Sequence, residues 1–217
     1  MNCSALLARV QKLENDRFGC PEGIDADQSM CRARTEVEAK GCYSSVWKWT
    51  PSNYYDQPIA GRAKILGAPN TMHLCKSLLL ENKKCPIGKG SPTFPRFVMV
   101  VVQYEATLNV RKLSNAVRAL KPVADRVDYS SFDFRVASSE DNDRLTGFKH
   151  NAVAPFGLVG KDNEKDGMLM VLAEAIVPLR FFWMGGGHVR LKLGMSVPEF
   201  VAASGAIVAD ISEPRSG

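Results

Sequence analysis

The sequence contains no apolar stretch near the ~20 residues that a membrane-spanning helix needs. Its longest apolar runs, Phe97 to Val102 and Met168 to Ala173, are far shorter, so a soluble chain is expected. Residues Met1 to Phe18 interleave Arg9, Lys12, Glu14 and Asp16 with apolar positions and lack the continuous hydrophobic region of a secretory leader. There is no Cys-x-x-Cys among the six cysteines, Cys3, Cys20, Cys31, Cys42, Cys75 and Cys85. In a chain of 217 residues without a leader they read as reduced thiols, and a cytoplasmic location fits. His73-Leu74-Cys75 has no second pair at zinc-site spacing, so buried thiols are the better reading and no metal is expected. The three histidines, His73, His150 and His188, show no nucleophile partner in sequence, and neither a Gly-x-Ser-x-Gly elbow nor a P-loop occurs. No cofactor is expected. A dense Lys/Arg block is also missing: 28 Lys+Arg against 23 Asp+Glu gives +5, which permits contact with a phosphate backbone without demanding it.

What is present is an ordinary globular composition, 45% hydrophobic and 24% charged, enough for one domain with a full core. Residues 1–40 read as an N-terminal helix and a polar loop packing on the core; residues 41–217 read as the main globular unit. In the helix, Leu6, Leu7, Val10 and Leu13 recur at helical spacing after Ser4. Alternation of Tyr43, Ser45, Trp47 and Trp49 predicts a strand ending at Thr50-Pro51. Pro58 before and Gly67 after Ile59 to Leu66 bracket a short helix. His73 to Glu81 and Phe97 to Tyr104 predict strands, separated by a loop over Lys83 to Pro95. Asn109, Ser138 and Ser196 each precede a helical pattern as caps, and Gly147 and Gly205 suit the ends of the last two. Further strands are expected at Phe132 to Ala137, Leu169 to Ile176, Leu179 to Met184, Val189 to Leu193 and Ala206 to Ile211. Helices and strands do not alternate regularly, so a mixed α+β domain is expected over a doubly wound one.

Three segments could carry chemistry. In His73 to Leu80, strand alternation sets Lys76 on one face with Leu74, Leu78 and Leu80. A lysine among leucines must find an anion, lower its pKa or reach the rim of a cleft. The competing reading is a lysine snorkelling from a half-exposed strand. Gly185-Gly186-Gly187 lies between two strand candidates, where glycine lets a ligand approach backbone amides; a plain hairpin turn is the alternative. His150-Asn151-Ala152-Val153-Ala154-Pro155-Phe156-Gly157 is a compact loop whose proline and glycine fix a sharp path, either to present amides to a substrate or only to join helix and sheet.

Taken together, these constellations resemble the YbaK / prolyl-tRNA-synthetase-associated editing family: a Lys-Ser/Thr-Leu strand, a Gly-x-x-x-Pro loop and a glycine-containing strand connection, in that order. A eukaryotic branch is resembled by Tyr54-Tyr55-Asp56-x-Pro58, Gly67-Ala68-Pro69, His73 to Ser77, Val101 to Tyr104, Thr146 to Val153 and Phe181 to Gly187, within a span from Tyr54 to about Asp210. The resemblance implies a curved mixed β-sheet, a partial barrel with flanking helices. It further implies an aminoacyl-tRNA deacylase, with tRNA as partner through its aminoacylated 3′ end, and an association with a prolyl-tRNA synthetase or a synthetase complex. The mechanism it implies uses a ribose hydroxyl and water in place of a protein nucleophile. Lys76 corresponds to the family's lysine, expected to hold the terminal phosphate or the ester's developing charge. Ser77 stands where threonine is common, and Pro155 matches the loop proline. His150, Asn151 and Gly157 belong to the same binding loop, and Gly185, Gly186 and Gly187 would border the adenosine or aminoacyl pocket. The departures are Asn151 at the loop's glycine position, Ala173 where relatives show Asp, and Arg190 near an acidic position. A non-catalytic module that binds tRNA without turnover is the competing reading.

Overall fold

A computed structural model describes residues 3–160 and 168–215. The core is organised by β3 (Phe97–Gln103), an apolar run from Phe97 to Val102 that ends on Gln103 and is buried along its whole length. Such a continuous apolar run belongs in the middle of a sheet covered on both faces. It pairs antiparallel with β2 (Cys75–Asn82) and parallel with β6 (Leu169–Ala173); β5 (Phe134–Val136) and β9 (Ile207–Ala209) complete a five-stranded sheet in the order β5-β2-β3-β6-β9. A second, antiparallel sheet has the order β1-β8-β7, from β1 (Val46–Trp49), β7 (Phe181–Gly185) and β8 (Leu191–Ser196). A parallel bridge between Leu74 and Trp183 joins the start of β2 to β7. The short pair β4 (Ala106–Leu108) and β10 (Ser212–Pro214) is antiparallel. Among the described residues no sheet closes into a barrel, and the architecture is mixed α+β.

Local chemistry sets the helices. α1 spans Cys3–Phe18 and α2 spans Gln28–Ala39. α3 (Ile59–Leu66) ends on Gly67 in the left-handed conformation. α4 (Val110–Arg118) begins where Asn109 Oδ1 accepts from Lys112 N at 3.0 Å. The Ser138 hydroxyl caps α5 (Ser139–Thr146), and that of Ser196 caps α6 (Val197–Ser204). These caps satisfy helix-end donors that would otherwise lack partners.

Four expectations are corrected. The polar loop expected up to Lys40 contains α2, capped by Asp27 Oδ1 accepting from Met30 N at 2.9 Å. It buries only Met30, Ala33 and Val37, so its apolar stripe is too thin to stand out in sequence. The apolar stripe of α1 is turned outward: Leu7 and Leu13 are more than half exposed, and Phe18 is the buried residue of that helix. β6 stops at Ala173, not Ile176, because Glu174–Leu179 winds into a 3-10 turn containing Pro178, which cannot donate to a ladder. The strand expected from Tyr43 begins at Val46, leaving Tyr43 exposed. Among the described residues no helix is long and apolar enough to cross a membrane, and no cluster of three metal-ligating side chains occurs.

Candidate functional site

Where the two larger sheets meet at the Leu74–Trp183 bridge, a cleft of about 540 Å³ opens. One wall is the first half of β2, and the opposite wall is the first turn of α5 with the loop from Lys149 to Val153. Tyr54, Tyr55 and Tyr104 form an aromatic side, and Trp183 to Gly185 with Lys192 close the end.

Lys76 is half-buried in the β2 wall and opposite Val102 of β3 in register. No hydrogen bond or ion pair to its ammonium is found among the described residues. Burial, and secondarily the charge of Arg215, holds its pKa below the ordinary lysine value. Such a cation favours an anionic guest. Beside it, the Ser77 hydroxyl oxygen is buried and has no hydrogen-bond partner among the described residues. A buried hydroxyl left in that state costs about 1–3 kcal/mol. Cys75 also lines the cleft, but burial pushes its thiol pKa up, which keeps it protonated and a poor nucleophile.

His150 and Asn151 stand exposed at the cleft mouth. Asn151 has φ of 63°, the left-handed conformation in which glycine is at ease and asparagine is tolerated. The Asn151 carbonyl accepts from the Tyr55 hydroxyl at 3.0 Å, tying loop to aromatic wall. Pro155 is buried behind the loop, and Gly157 faces α2 instead of the cleft. A Cβ on Gly157 would lie 2.6 Å from Ala33 N; its own N–H donates to the Glu36 carboxylate, while Arg32 Nε donates to its carbonyl at 3.1 Å. The helix absent from the sequence reading is therefore the clamp that holds this loop.

The glycines at the end of β7 divide similarly. Gly185 borders the cleft, and Gly186 and Gly187 lie outside its lining. What approaches Gly185 is the chain's own backbone: a Cβ there would sit 2.1 Å from the Val153 carbonyl oxygen. Gly187, at φ of 94°, donates to Ala152 O at 3.1 Å and abuts the start of α2. Of the departures from the family pattern, Ala173 is buried in the core and Arg190 donates to Thr50 O at 2.9 Å; neither lines the cleft.

Sequence reasoning missed a strongly perturbed cation of the site. Lys192, on β8, is only 4% exposed yet borders the cleft. Its Nζ donates to Tyr55 Oη at 2.9 Å and to Val189 O at 2.8 Å, and lies 4.7 Å and 5.2 Å from the ring centres of Tyr55 and Tyr54. Burial, aided by the nearby Arg62 charge, pushes its pKa down to about 7. Arg62 itself stacks within 6 Å of Tyr54, Tyr55 and Tyr104. In sequence nothing local marks Lys192, which falls inside the strand expected over Val189 to Leu193; the cover over its side exists only in the fold, where Phe181 and Trp183 crowd Gly194 on the same side.

No protein-family model matches the chain, and no curated protein matches it. Solved structures do. A scaffold from epitope backbone grafting by computational design aligns with TM-score 0.65 at 20% identity, over 88% of this chain and 100% of that one. A candidate trans-editing enzyme for prolyl tRNA synthetase aligns with TM-score 0.65 at 21% identity, over 87% of this chain and 99% of that one. The hypothetical protein APE2540 aligns with TM-score 0.61 at 21% identity, over 84% and 99%. At such identity the likeness shows the fold alone: this chain shares the mixed α+β fold of these structures.

Proposed function

We propose that the cleft binds the aminoacylated 3′ end of tRNA and hydrolyses the ester that links a misattached small amino acid to it. The observation that carries this reading is the half-buried Lys76 ammonium, without a carboxylate partner, in the wall of a cleft that the Asn151 loop and Gly185 also border. Lys76 would hold the terminal phosphate or the oxyanion that develops on the ester. Ser77, His150 and Asn151 would contact the substrate at the cleft wall and mouth, while Pro155, Gly157, Gly186 and Gly187 would hold the loops that shape it. An aminoacyl ester is already activated, so positioning a water and stabilising the oxyanion are sufficient work for the site. The fold likeness to a candidate trans-editing enzyme for prolyl tRNA synthetase supports the same reading, and a prolyl-tRNA synthetase or a synthetase complex is the proposed partner. The cytoplasm is the proposed location.

Hydrolysis of tRNAs charged with Ala, Cys, Ser and Pro tests this. At least one is expected to be deacylated, with Lys76→Ala about a hundredfold slower and still folded, the scale of losing one oxyanion contact. Equal rates for the two proteins would remove Lys76 from the mechanism. The second reading, binding without turnover, draws on the Asn151 side chain at the cleft mouth where the family has glycine. It predicts retention of charged tRNA with no hydrolysis in the same panel.

A further inference from the structure

Lys192 is a buried amine with an unusual set of neighbours. Its cross-strand partners are Lys48 on β1 and Gly185 on β7. Arg62 of α3 adds a second positive charge, Tyr54 and Tyr55 cover it, and Tyr104 borders the same cleft. His188, in the connection to β8, has its pKa lowered by burial and, further down, by Lys192 itself. Among the described residues no carboxylate faces this amine.

The hydrogen bonds fix what the nitrogen can do. The Tyr55 hydroxyl has one proton, and it is donated to the Asn151 carbonyl at 3.0 Å. The Tyr55 oxygen therefore accepts from Lys192, and the Val189 carbonyl can only accept. Two N–H bonds are committed. The remaining position on nitrogen, a proton in the ammonium and a lone pair in the amine, has no further hydrogen-bond partner among the described residues; the Tyr54 ring centre lies 5.2 Å away, and the side chain borders the cleft. Burial among cations and phenols brings the two forms to comparable populations near pH 7.

We infer that Lys192 is the proton-transfer residue of the cleft, serving first as general base and then as general acid in ester hydrolysis. The inference rests on the deacylase reading and adds a protein group to a reaction otherwise assigned to substrate hydroxyl and water. The neutral amine takes a proton from water: a water O–H bond breaks, an N–H bond forms, and the water oxygen bonds to the ester carbonyl carbon. The resulting oxyanion collapses, the bond from carbonyl carbon to ribose oxygen breaks, and the ammonium returns its proton to that oxygen. The products are a free amino acid and a ribose hydroxyl, with the amine regenerated. Tyr55 acts as a positioning residue, because it holds the amine and, through the Asn151 carbonyl, the loop at the cleft mouth.

The test is single-turnover deacylation, across pH, of whichever charged tRNA the wild type hydrolyses, with the uncatalysed rate subtracted. The wild-type rate is expected to rise with pH and level off, with its midpoint near 7. Lys192→Met should be about a hundredfold slower and lose that inflexion, as removal of a general base does, while still binding an amide-linked analogue of the aminoacylated 3′ end. Tyr55→Phe should move the inflexion to lower pH by about 1 unit, because the ammonium loses an acceptor. A Lys192→Met rate within about twofold of wild type would overturn the inference and leave the deacylase reading standing. A wild type that hydrolyses none of the charged tRNAs would overturn both. Should Lys192→Met fail to fold, an inflexion that is absent in wild type or unmoved in Tyr55→Phe overturns the inference.

Discussion

Replacing Gly185 by alanine probes the tightest contact in the site. The added Cβ would lie 2.1 Å from the Val153 carbonyl oxygen and 3.4 Å from the Ala152 oxygen, both backbone atoms that cannot rotate away. Restoring an ordinary separation of about 3.5 Å requires the loop and the end of β7 to part by more than about 1 Å. Gly187 N is bonded to the same loop through Ala152 O, so the two segments cannot separate without stretching that bond as well. Overpacking of this kind costs about 1–3 kcal/mol, and the stiffer unfolded chain returns about 0.4–1 kcal/mol, so a net loss of about 1 kcal/mol is expected. Gly88→Ala is the contrasting probe: unlike Gly185 it has a left-handed φ, 71°, and nothing lies within 4 Å, so it reports a backbone penalty of about 1 kcal/mol without a clash. Urea denaturation of both variants separates the two causes, with an unchanged slope confirming the same unfolding reaction. A Gly185→Ala protein no less stable than wild type would refute the argument that the close approach serves the chain's own backbone.

Other expectations follow from the same geometry. Asn151→Ala should cost about 1 kcal/mol by urea denaturation because alanine lacks asparagine's tolerance of the left-handed region, whereas Asn151→Gly should not destabilise. Because the folded pKa of Lys192, about 7, lies below its ordinary 10.5, the unfolded chain holds a proton that the folded chain has released between those values. Stability attributable to this residue should therefore rise with pH across that window, by up to about 5 kcal/mol, and denaturation curves of Lys192→Met should lack that rise. Met30→Ala removes a fully buried side chain from α2 and should cost about 2–5 kcal/mol, measured by the same denaturation, with weaker binding at the loop that α2 clamps.

Much of the frame was legible because its signals are local. Caps at Asn109, Ser138 and Ser196 and left-handed glycines at Gly67, Gly147 and Gly205 lie within a few residues of the helix ends they define. The all-apolar run that became β3 marked the sheet centre for the same reason. α2 escaped notice because three small or flexible buried residues in a polar stretch give too little contrast. The stripe on α1 had contrast, but contrast cannot say what covers it: Leu6 and Leu13 face outward while Gln11 donates to Ala26 O and Phe18 anchors the helix.

At the site, the sequence alone determined that a lysine sits in phase with leucines on β2, because side-chain direction in a strand depends only on parity. It also determined that residues with unusual backbone freedom stand at Asn151 and Gly185, since those residue types carry their conformational range with them. Only the tertiary structure decided which surfaces those residues meet: that Gly157 abuts α2, that Gly185 abuts Val153, and that Lys192 lies under Tyr54 and Tyr55. Burial is a property of segments distant in the chain brought together, and the desolvation that brings Lys192 to a pKa of about 7 exists only after the turn at Tyr54 and Tyr55 has covered β8.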